Sequence, residues 1–216
     1  MGPNTTLMKL CLWGSILAGV SDLLVVVADL QGPMTIVWKG TGVALLVIFA
    51  LLRARSTDGV MLAGVMAFGA LGDVLLEVAF TLGAASFALG HVLGIVLYRR
   101  NRRPNLAASQ RALGVLLAVA TPVIAWLLTH AADVTAYALL LGLMAGSAWT
   151  SRFSRYRTGL GAVMFVASDL LIFAEMGPIA GSAFIGVAIW ALYFAGQFLI
   201  TLGVTQGLGE RRKSLY

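Results

Sequence analysis

Hydrophobic residues fill eight long segments of this chain, and short polar or basic stretches separate them. An α-helix needs about 20 residues to cross the hydrocarbon core of a bilayer, because it rises about 1.5 Å per residue. The pattern therefore predicts an all-α protein, a polytopic bundle of eight transmembrane helices that forms one integral membrane domain over residues 1–216. The predicted helices cover about residues 8–30, 34–53, 59–79, 82–99, 111–129, 133–151, 158–175 and 182–206.

Positive charge is distributed unevenly along this pattern. Of the 15 Lys and Arg residues, all but Lys39 lie near the N-terminus, near the loops after predicted helices 2, 4 and 6, or near the C-terminus. Cytoplasmic loops of membrane proteins are enriched in these residues. The bias predicts that both termini are cytoplasmic, which agrees with an even number of spans. We expect the protein in the cell membrane, that is, the inner or plasma membrane.

The composition supports a membrane protein and excludes other classes. The chain is 60% hydrophobic and 11% charged, with a mean hydropathy of +0.94, whereas soluble domains are about 25% charged. Topology signals and lipid headgroup contacts explain the net charge of +6, so no nucleic-acid partner is expected. The single cysteine, Cys11, excludes an intramolecular disulfide and a cysteine-based metal cluster.

Two of the apolar segments carry an aspartate deep inside the predicted membrane. Asp73 lies in Ala67–Glu77, and Asp169 lies in a similar stretch, Val166–Glu175. An ionisable group at such depth is costly, so it usually faces the bundle interior and serves a function. At 1.5 Å per residue, Asp73 is about 21 Å and Asp169 about 16 Å from the cytoplasmic face. We therefore expect these carboxyl groups to form the two sides of one intramembrane site.

Three further polar residues share the middle and outer half of the membrane: Asp22, Lys39 and His91, on predicted helices 1, 2 and 4. With the two aspartates they predict one polar cavity. Lys39 either binds a phosphate or neutralises an aspartate. His91 either has a functional role or packs as a hydrogen-bonded core residue. Glu77 falls near the outer interface and is expected to be structural.

Predicted helix 8 offers a further wall for this cavity. Its semi-polar residues recur at i, i+3, i+7 and i+11, so they lie on one helix face. These residues are Trp190, Tyr193, Gln197 and Thr201.

Glycine pairs spaced by four residues occur on two predicted helices, Gly90 with Gly94 and Gly142 with Gly146. In membrane helices this spacing lets two backbones approach closely. We expect a packing role, and substrate access past a small-residue face is the alternative.

The available residue types restrict the chemistry of the site. A zinc site needs three or four nitrogen, oxygen or sulfur ligands, and the predicted spans offer one histidine and no usable cysteine. A divalent ion held by Asp73, Asp169 and His91 stays an alternative. The sequence has no G-x-S-x-G motif and no phosphate-binding glycine loop. Two carboxyl groups in a low-dielectric cavity suit acid–base hydrolysis and proton-coupled transport equally well.

Five short motifs follow one another between about residues 35 and 203. They are Trp38-Lys39-Gly40, Gly69–Leu76, Ala88–His91, Gly161–Asp169 and Tyr193–Ile200. In this order and spacing they resemble the YhhN-like lysoplasmalogenase family of eight-span membrane proteins. The chain departs from the family pattern at Gly40, where proline is usual, and at Gly94, where tyrosine is frequent. Asp22 is not part of the pattern.

The resemblance implies hydrolysis of the vinyl ether bond of a lysoplasmalogen, which gives a fatty aldehyde and a glycerophospho-ethanolamine or -choline. It implies a lysophospholipid substrate, contact with membrane lipid, and no cofactor. Asp73 and Asp169 would be the catalytic acid–base pair, with their order open. A proton-coupled transporter and a non-catalytic lipid-binding protein are the alternatives. The substrate-binding or orienting residues would be Lys39, His91, Tyr193 and Gln197, with Asp22 and Glu77 as additional candidates.

Overall fold

A computed structural model of the protein describes residues 3–179 and 183–213. Within these ranges the chain is all-helical, without a strand, and eight helices are long and apolar enough to cross a membrane. The predicted fold class is therefore confirmed. A single π-helical turn, Arg155–Gly159, precedes the seventh of these helices. The helices are α1 Pro3–Val27, α2 Pro33–Arg53, α3 Thr57–Val78, α4 Phe80–Arg100, α5 Ala108–Thr129, α6 Ala132–Thr150, α7 Leu160–Met176 and α8 Ala183–Lys213.

Local sequence explains where several helices begin. Pro33 occupies the first turn of α2, where its missing N–H costs nothing. Ser56 caps α3 by accepting a 3.4 Å hydrogen bond from the backbone N–H of Gly59. Between α3 and α4 a single extended residue, Ala79, breaks the helix, so these two helices form a tight hairpin.

The last helix is longer than its sequence pattern predicts. The predicted start, Ser182, lies outside the described residues, and α8 continues to Lys213 where an end at about residue 206 was predicted. Its 31 residues span about 46 Å, which exceeds the thickness of the hydrocarbon core. The C-terminal turns of α8 therefore extend past the apolar layer.

Polar contacts join three loops at one end of the bundle. Asp58 accepts hydrogen bonds from Arg100 Nε at 3.0 Å and from Asn101 Nδ2 at 2.9 Å. Arg152 Nε donates to Asn101 Oδ1 at 2.7 Å. The connections α2–α3, α4–α5 and α6–α7 therefore meet at what we call the basic end, the end of the bundle that carries these four residues. That this end is cytoplasmic stays a prediction.

The glycine pair of α6 faces α5. A Cβ on Gly142 would lie 2.6 Å from the carbonyl oxygen of Leu117, and one on Gly146 would lie 2.5 Å from that of Gly114. These distances are too short for any side chain, so the two backbones touch because these positions are glycine.

The outer surface of the bundle suits lipid. Large apolar side chains are exposed around it, among them Trp13, Leu24, Val115 and Leu127. In water such a continuous apolar surface is unfavourable, whereas in a bilayer it is the expected surface of a spanning bundle.

Candidate active site

A cavity of about 610 Å³ lies between the helices, in the half of the bundle opposite the basic end. Residues of α1, α2, α3, α4, α6, α7 and α8 line it, and most of these residues are apolar. Its polar lining is concentrated on α6, α7 and α8. The polar residues of the wall are Lys39, Asp73, Thr81, Asp133, Tyr137, Ser168, Asp169, Glu175, Trp190 and Tyr193.

Asp169 lies on the α7 side of this cavity and is 5% exposed. The Tyr137 hydroxyl of α6 donates a 2.7 Å hydrogen bond to Asp169 Oδ2. Next to Asp169, the Ser168 hydroxyl donates to the carbonyl oxygen of Ile189 at 3.0 Å, which joins α7 to α8. These two bonds fix both the position of the helix and the orientation of the carboxyl group.

Asp73 lies on the α3 side of the cavity and is 2% exposed. Its Oδ2 is buried and has no hydrogen-bond partner among the described residues. The Tyr193 hydroxyl of α8 adjoins this carboxyl group. Asp73 therefore presents a buried polar atom that no protein group in the described ranges satisfies, which is unusual in a folded protein.

Small residues before Asp73 let its neighbours approach. A Cβ on Gly69 would lie 2.6 Å from Nε2 of Gln197, and a Cβ on Gly72 would lie 2.6 Å from the ring of Phe87. Glycine at both positions brings α4 and α8 against the face of α3 that carries Asp73. Gly69 and Gly72 therefore allow the close packing around Asp73 and do not end the helix.

An aromatic cluster packs around Tyr193. Phe87, Phe165 and Tyr193 meet edge to face, with ring centroids 5.2–5.9 Å apart. Tyr193 also accepts a 3.3 Å hydrogen bond from Gln197 Nε2. No hydrogen bond joins Asp73 to Asp169 in the described residues, and Tyr193 interacts electrostatically with both. The two carboxyl groups thus line one cavity, and no direct hydrogen bond joins them in the described part of the chain.

Lys39 and Glu77 form an ion pair at the rim of the cavity, with side-chain exposures of 27% and 39%. The Lys39 ammonium also lies 5.8 Å from the ring centroid of Trp190. Lys39 is thus paired with Glu77 rather than with Asp73, although it also interacts electrostatically with Asp73.

The other predicted residues lie behind the wall. His91 Nε2 is 3.1 Å from the Tyr137 hydroxyl, and Gln197 bonds Tyr193, so each supports a residue of the wall without lining the cavity itself. Asp22 is buried and interacts with Lys39, and its Oδ1 has no partner among the described residues. The structure therefore brings Lys39, Asp73, Asp169 and Tyr193 to the cavity and leaves the remaining candidates adjacent to it.

Sequence reasoning missed three ionisable residues of the wall: Asp133, Tyr137 and Glu175. Predicted helix 6 was considered for its glycines alone, because no charge lies between Val134 and Ser151. The available signal was the spacing of Asp133 and Tyr137, which are four residues apart and so lie on one face of α6.

The structure does not bring Asp73, Asp169 and His91 together as the ligands of a divalent ion. In the described ranges no three His, Cys, Asp or Glu side chains come close enough together to hold a metal. Of the three residues considered, His91 contacts Tyr137 rather than either aspartate.

Eight apolar helices around an acidic, tyrosine-lined cavity define an integral membrane protein with an intramembrane site. The chain belongs to the YhhN family, whose family model matches residues 34–204. This range includes α2–α7 and most of α8, and therefore every candidate site residue except Asp22. The predicted family is confirmed.

Similar curated proteins carry an enzymatic name. Two proteins named lysoplasmalogenase, from Mycobacterium bovis and Mycobacterium tuberculosis, are each 27% identical over 180 residues, which is 77% of this chain and 68% of the relative. No solved structure matches the chain. Together with the family, these relatives support a membrane hydrolase.

Proposed function

We propose that the protein hydrolyses the vinyl ether bond of a lysoplasmalogen, with Asp73 and Asp169 as the acid–base pair. The main observation in support of this proposal is that two buried carboxyl groups line one largely apolar cavity. Ionisable groups inside a membrane bundle are costly and mark functional sites. The family and the names of the two mycobacterial relatives support this choice of reaction.

The cavity suits a lipid with one chain. Its volume of about 610 Å³ is within the range of small-molecule sites, about 300–1,000 Å³. Apolar side chains such as Leu76, Phe80 and Ile172 would contact the alkenyl chain. The polar headgroup would stay at the rim, because burying it among these side chains would be costly.

The charges at the rim suit a headgroup that carries both signs. Lys39 would bind the phosphate as a cation at the mouth of the cavity. Asp133, in the first turn of α6, and Glu175, in the last turn of α7, would face an ammonium group. Helix rise places the rim carboxylates about 6–9 Å from the level of Tyr137 and Asp169. Ethanolamine and choline headgroups combine a phosphate with an ammonium.

The reaction needs one proton donor and one proton acceptor. One carboxyl group would transfer its proton to the alkenyl carbon, which turns the vinyl ether into an oxocarbenium ion. The other carboxyl group would take a proton from the attacking water, and the product of this addition is a hemiacetal. The hemiacetal would then collapse to a fatty aldehyde and the glycerol hydroxyl. General acid–base groups of this kind contribute about 10²–10⁴-fold each.

The remaining candidates would orient these groups. Tyr193 would position the Asp73 side of the cavity, with Gln197 holding the Tyr193 hydroxyl. His91 would act through Tyr137 on the Asp169 side. Asp22 and Glu77 would set the charge around Lys39.

The direct test is product identification. The purified protein is incubated in lipid nanodiscs with an alkenyl lysophosphatidylethanolamine, and mass spectrometry detects the fatty aldehyde and glycerophosphoethanolamine. The saturated alkyl ether of the same headgroup is the matched control substrate, because it cannot form an oxocarbenium ion by protonation at carbon. Cleavage of the alkenyl lipid alone supports the proposal, and no cleavage of either lipid overturns it.

The same preparation separates the alternative functions. A proton-coupled transporter would move lipid or another solute across a sealed liposome without new products. A non-catalytic lipid-binding protein would retain the alkenyl lipid and release it unchanged.

A further inference from the structure

Three side chains form a row that ends at the cavity: His91, Tyr137 and Asp169. His91 Nε2 lies 3.1 Å from the Tyr137 oxygen, and the Tyr137 hydroxyl donates to Asp169 Oδ2 at 2.7 Å. A tyrosine hydroxyl has one hydrogen to donate. Because Tyr137 uses it for Asp169, Tyr137 can only accept from His91, so Nε2 of His91 carries a hydrogen. Each hydrogen bond in the row is therefore donated in the direction of Asp169.

This direction gives Asp169 the role of an acceptor. A hydrogen bond donated to a carboxylate favours its charged form and fixes its orientation. Oδ2 is occupied by Tyr137, and Asp169 also lines the cavity, so Oδ1 is the oxygen left for a water molecule. Asp169 thus has the arrangement of a base.

Asp73 also adjoins a tyrosine hydroxyl, that of Tyr193, but it differs from Asp169 at one oxygen. Oδ2 of Asp73 is buried and has no donor among the described residues, and Lys39 is paired with Glu77 instead. An unpartnered carboxylate oxygen in apolar surroundings is far more costly than a neutral carboxyl group. Asp73 also lines the cavity in which the alkenyl chain would lie.

We propose that Asp73 is the acid and Asp169 the base of this hydrolysis, and that Tyr137 is a positioning residue for Asp169. The inference rests on the proposed function and adds an order to its two carboxyl groups. The two aspartates are buried to a similar extent, so the order rests on one difference: Oδ2 of Asp169 accepts from Tyr137, whereas Oδ2 of Asp73 is buried without a donor in the described residues.

With Asp73 as the acid and Asp169 as the base, every proton in the catalytic cycle is accounted for. Asp73 gives its proton to the alkenyl carbon and becomes a carboxylate, while the ether carbon becomes an oxocarbenium ion. Water adds to that carbon, and Asp169 takes the released proton. In the collapse of the hemiacetal, its hydroxyl proton goes to Asp73, and Asp169 returns its proton to the departing glycerol oxygen. Both carboxyl groups then regain their starting states.

Azide distinguishes the two roles, because it adds to an oxocarbenium ion without losing a proton. In Asp169→Ala, water addition lacks its base, but Asp73 still protonates the alkenyl carbon. Azide should therefore restore substrate consumption by about tenfold or more, within the 10²–10⁴-fold contribution of a general base. The product is an azido ether, and solvent water returns the proton to Asp73. Asp73→Ala should gain nothing from azide, because the oxocarbenium ion does not form.

Tyr137→Phe tests the positioning residue. The variant should lower kcat about 10–100-fold, the equivalent of one hydrogen bond to a charged group, with KM within about twofold. Azide should recover part of this loss, because Tyr137 acts through Asp169. A purely structural role would give a loss that azide does not change. Tyr156→Phe, at an 82% exposed position far from the cavity wall, is the matched control and should keep full activity.

Each outcome supports or contradicts the assignment of the acid, the base and the positioning residue. Rescue of Asp73→Ala alone reverses the assignment, and rescue of neither or of both aspartate variants overturns it. Retained kcat in Tyr137→Phe removes Tyr137 from the mechanism. Circular dichroism and elution as a single species establish that each variant folds, and Asp169→Asn and Asp73→Asn repeat the comparison if an alanine variant does not. Aldehyde release by the unmodified protein tests the proposed function separately, since it needs no variant.

Discussion

Lys39, in the second turn of α2, forms an ion pair with Glu77, one residue before the end of α3. The pair lies at the rim of the cavity rather than at its floor, so the cation closest to Asp73 is engaged by a partially exposed glutamate. This relationship gives Glu77 a specific partner, whereas its depth alone indicated only a residue near the interface. It also makes Lys39 available to an incoming anion, because a partly exposed ion pair contributes little stability.

Lys39→Met should therefore raise KM for an alkenyl lysophospholipid about tenfold, which corresponds to about 1.4 kcal/mol of binding, with kcat changed less than threefold. The reason is the loss of one cation–phosphate contact. Glu77→Gln, the matched variant, should leave KM unchanged or lower, because Glu77 competes with the phosphate for Lys39. Steady-state kinetics in nanodiscs measures both. Equal losses in the two variants would show that the ion pair is structural.

Asp73→Asn and Asp169→Asn should each lower the rate of aldehyde release by about 10²–10⁴-fold. Asparagine keeps the shape of the side chain but cannot exchange a proton, so the loss reports chemistry rather than packing. Mass spectrometry of the aldehyde is the measurement, and thermal melting of the purified variants is the control for folding. Full activity in either variant would remove that aspartate from catalysis.

The double variant Asp133→Asn with Glu175→Gln should change headgroup preference. Both carboxylates line the cavity near its rim, and neither belongs to the proposed acid–base pair. We expect KM for ethanolamine and choline substrates to rise by several-fold, up to about tenfold, through the loss of exposed charge–charge contacts. Alkenyl lysophosphatidic acid has no ammonium group and should be unaffected. An equal loss on this control lipid would contradict a role in headgroup binding.

Gly146→Ala should destabilise the bundle without touching the site. The added Cβ would lie 2.5 Å from the carbonyl oxygen of Gly114, so α5 and α6 must separate. Overpacking of this kind costs about 1–3 kcal/mol. Gly209→Ala is the matched control, because its Cβ would have its nearest neighbour at 3.9 Å, Nη2 of Arg53. Thermal melting in detergent should show a lower Tm for the first variant alone, and equal Tm values would refute the close-contact explanation.

The number and order of the helices could be predicted from the sequence, and so could the depth of each ionisable residue. A span requires about 20 apolar residues, and each residue advances about 1.5 Å, so apolar length fixes both quantities. The placement of Asp73 and Asp169 in the membrane half away from the basic end follows from this argument. The family followed from short motifs around Lys39, Asp73, His91 and Asp169, and the family model confirms it.

The rotation of each helix about its axis was decided only by the tertiary structure. In a membrane bundle the lipid-facing and the buried faces are both apolar, so the sequence pattern does not tell one from the other. For this reason depth alone grouped Asp22 and His91 with the cavity, whereas packing places them behind its wall. The same packing brings Tyr137 to Asp169 and Glu77 to Lys39. The depth of each group thus follows from its position along an apolar segment, whereas the contacts between groups depend on how the helices pack.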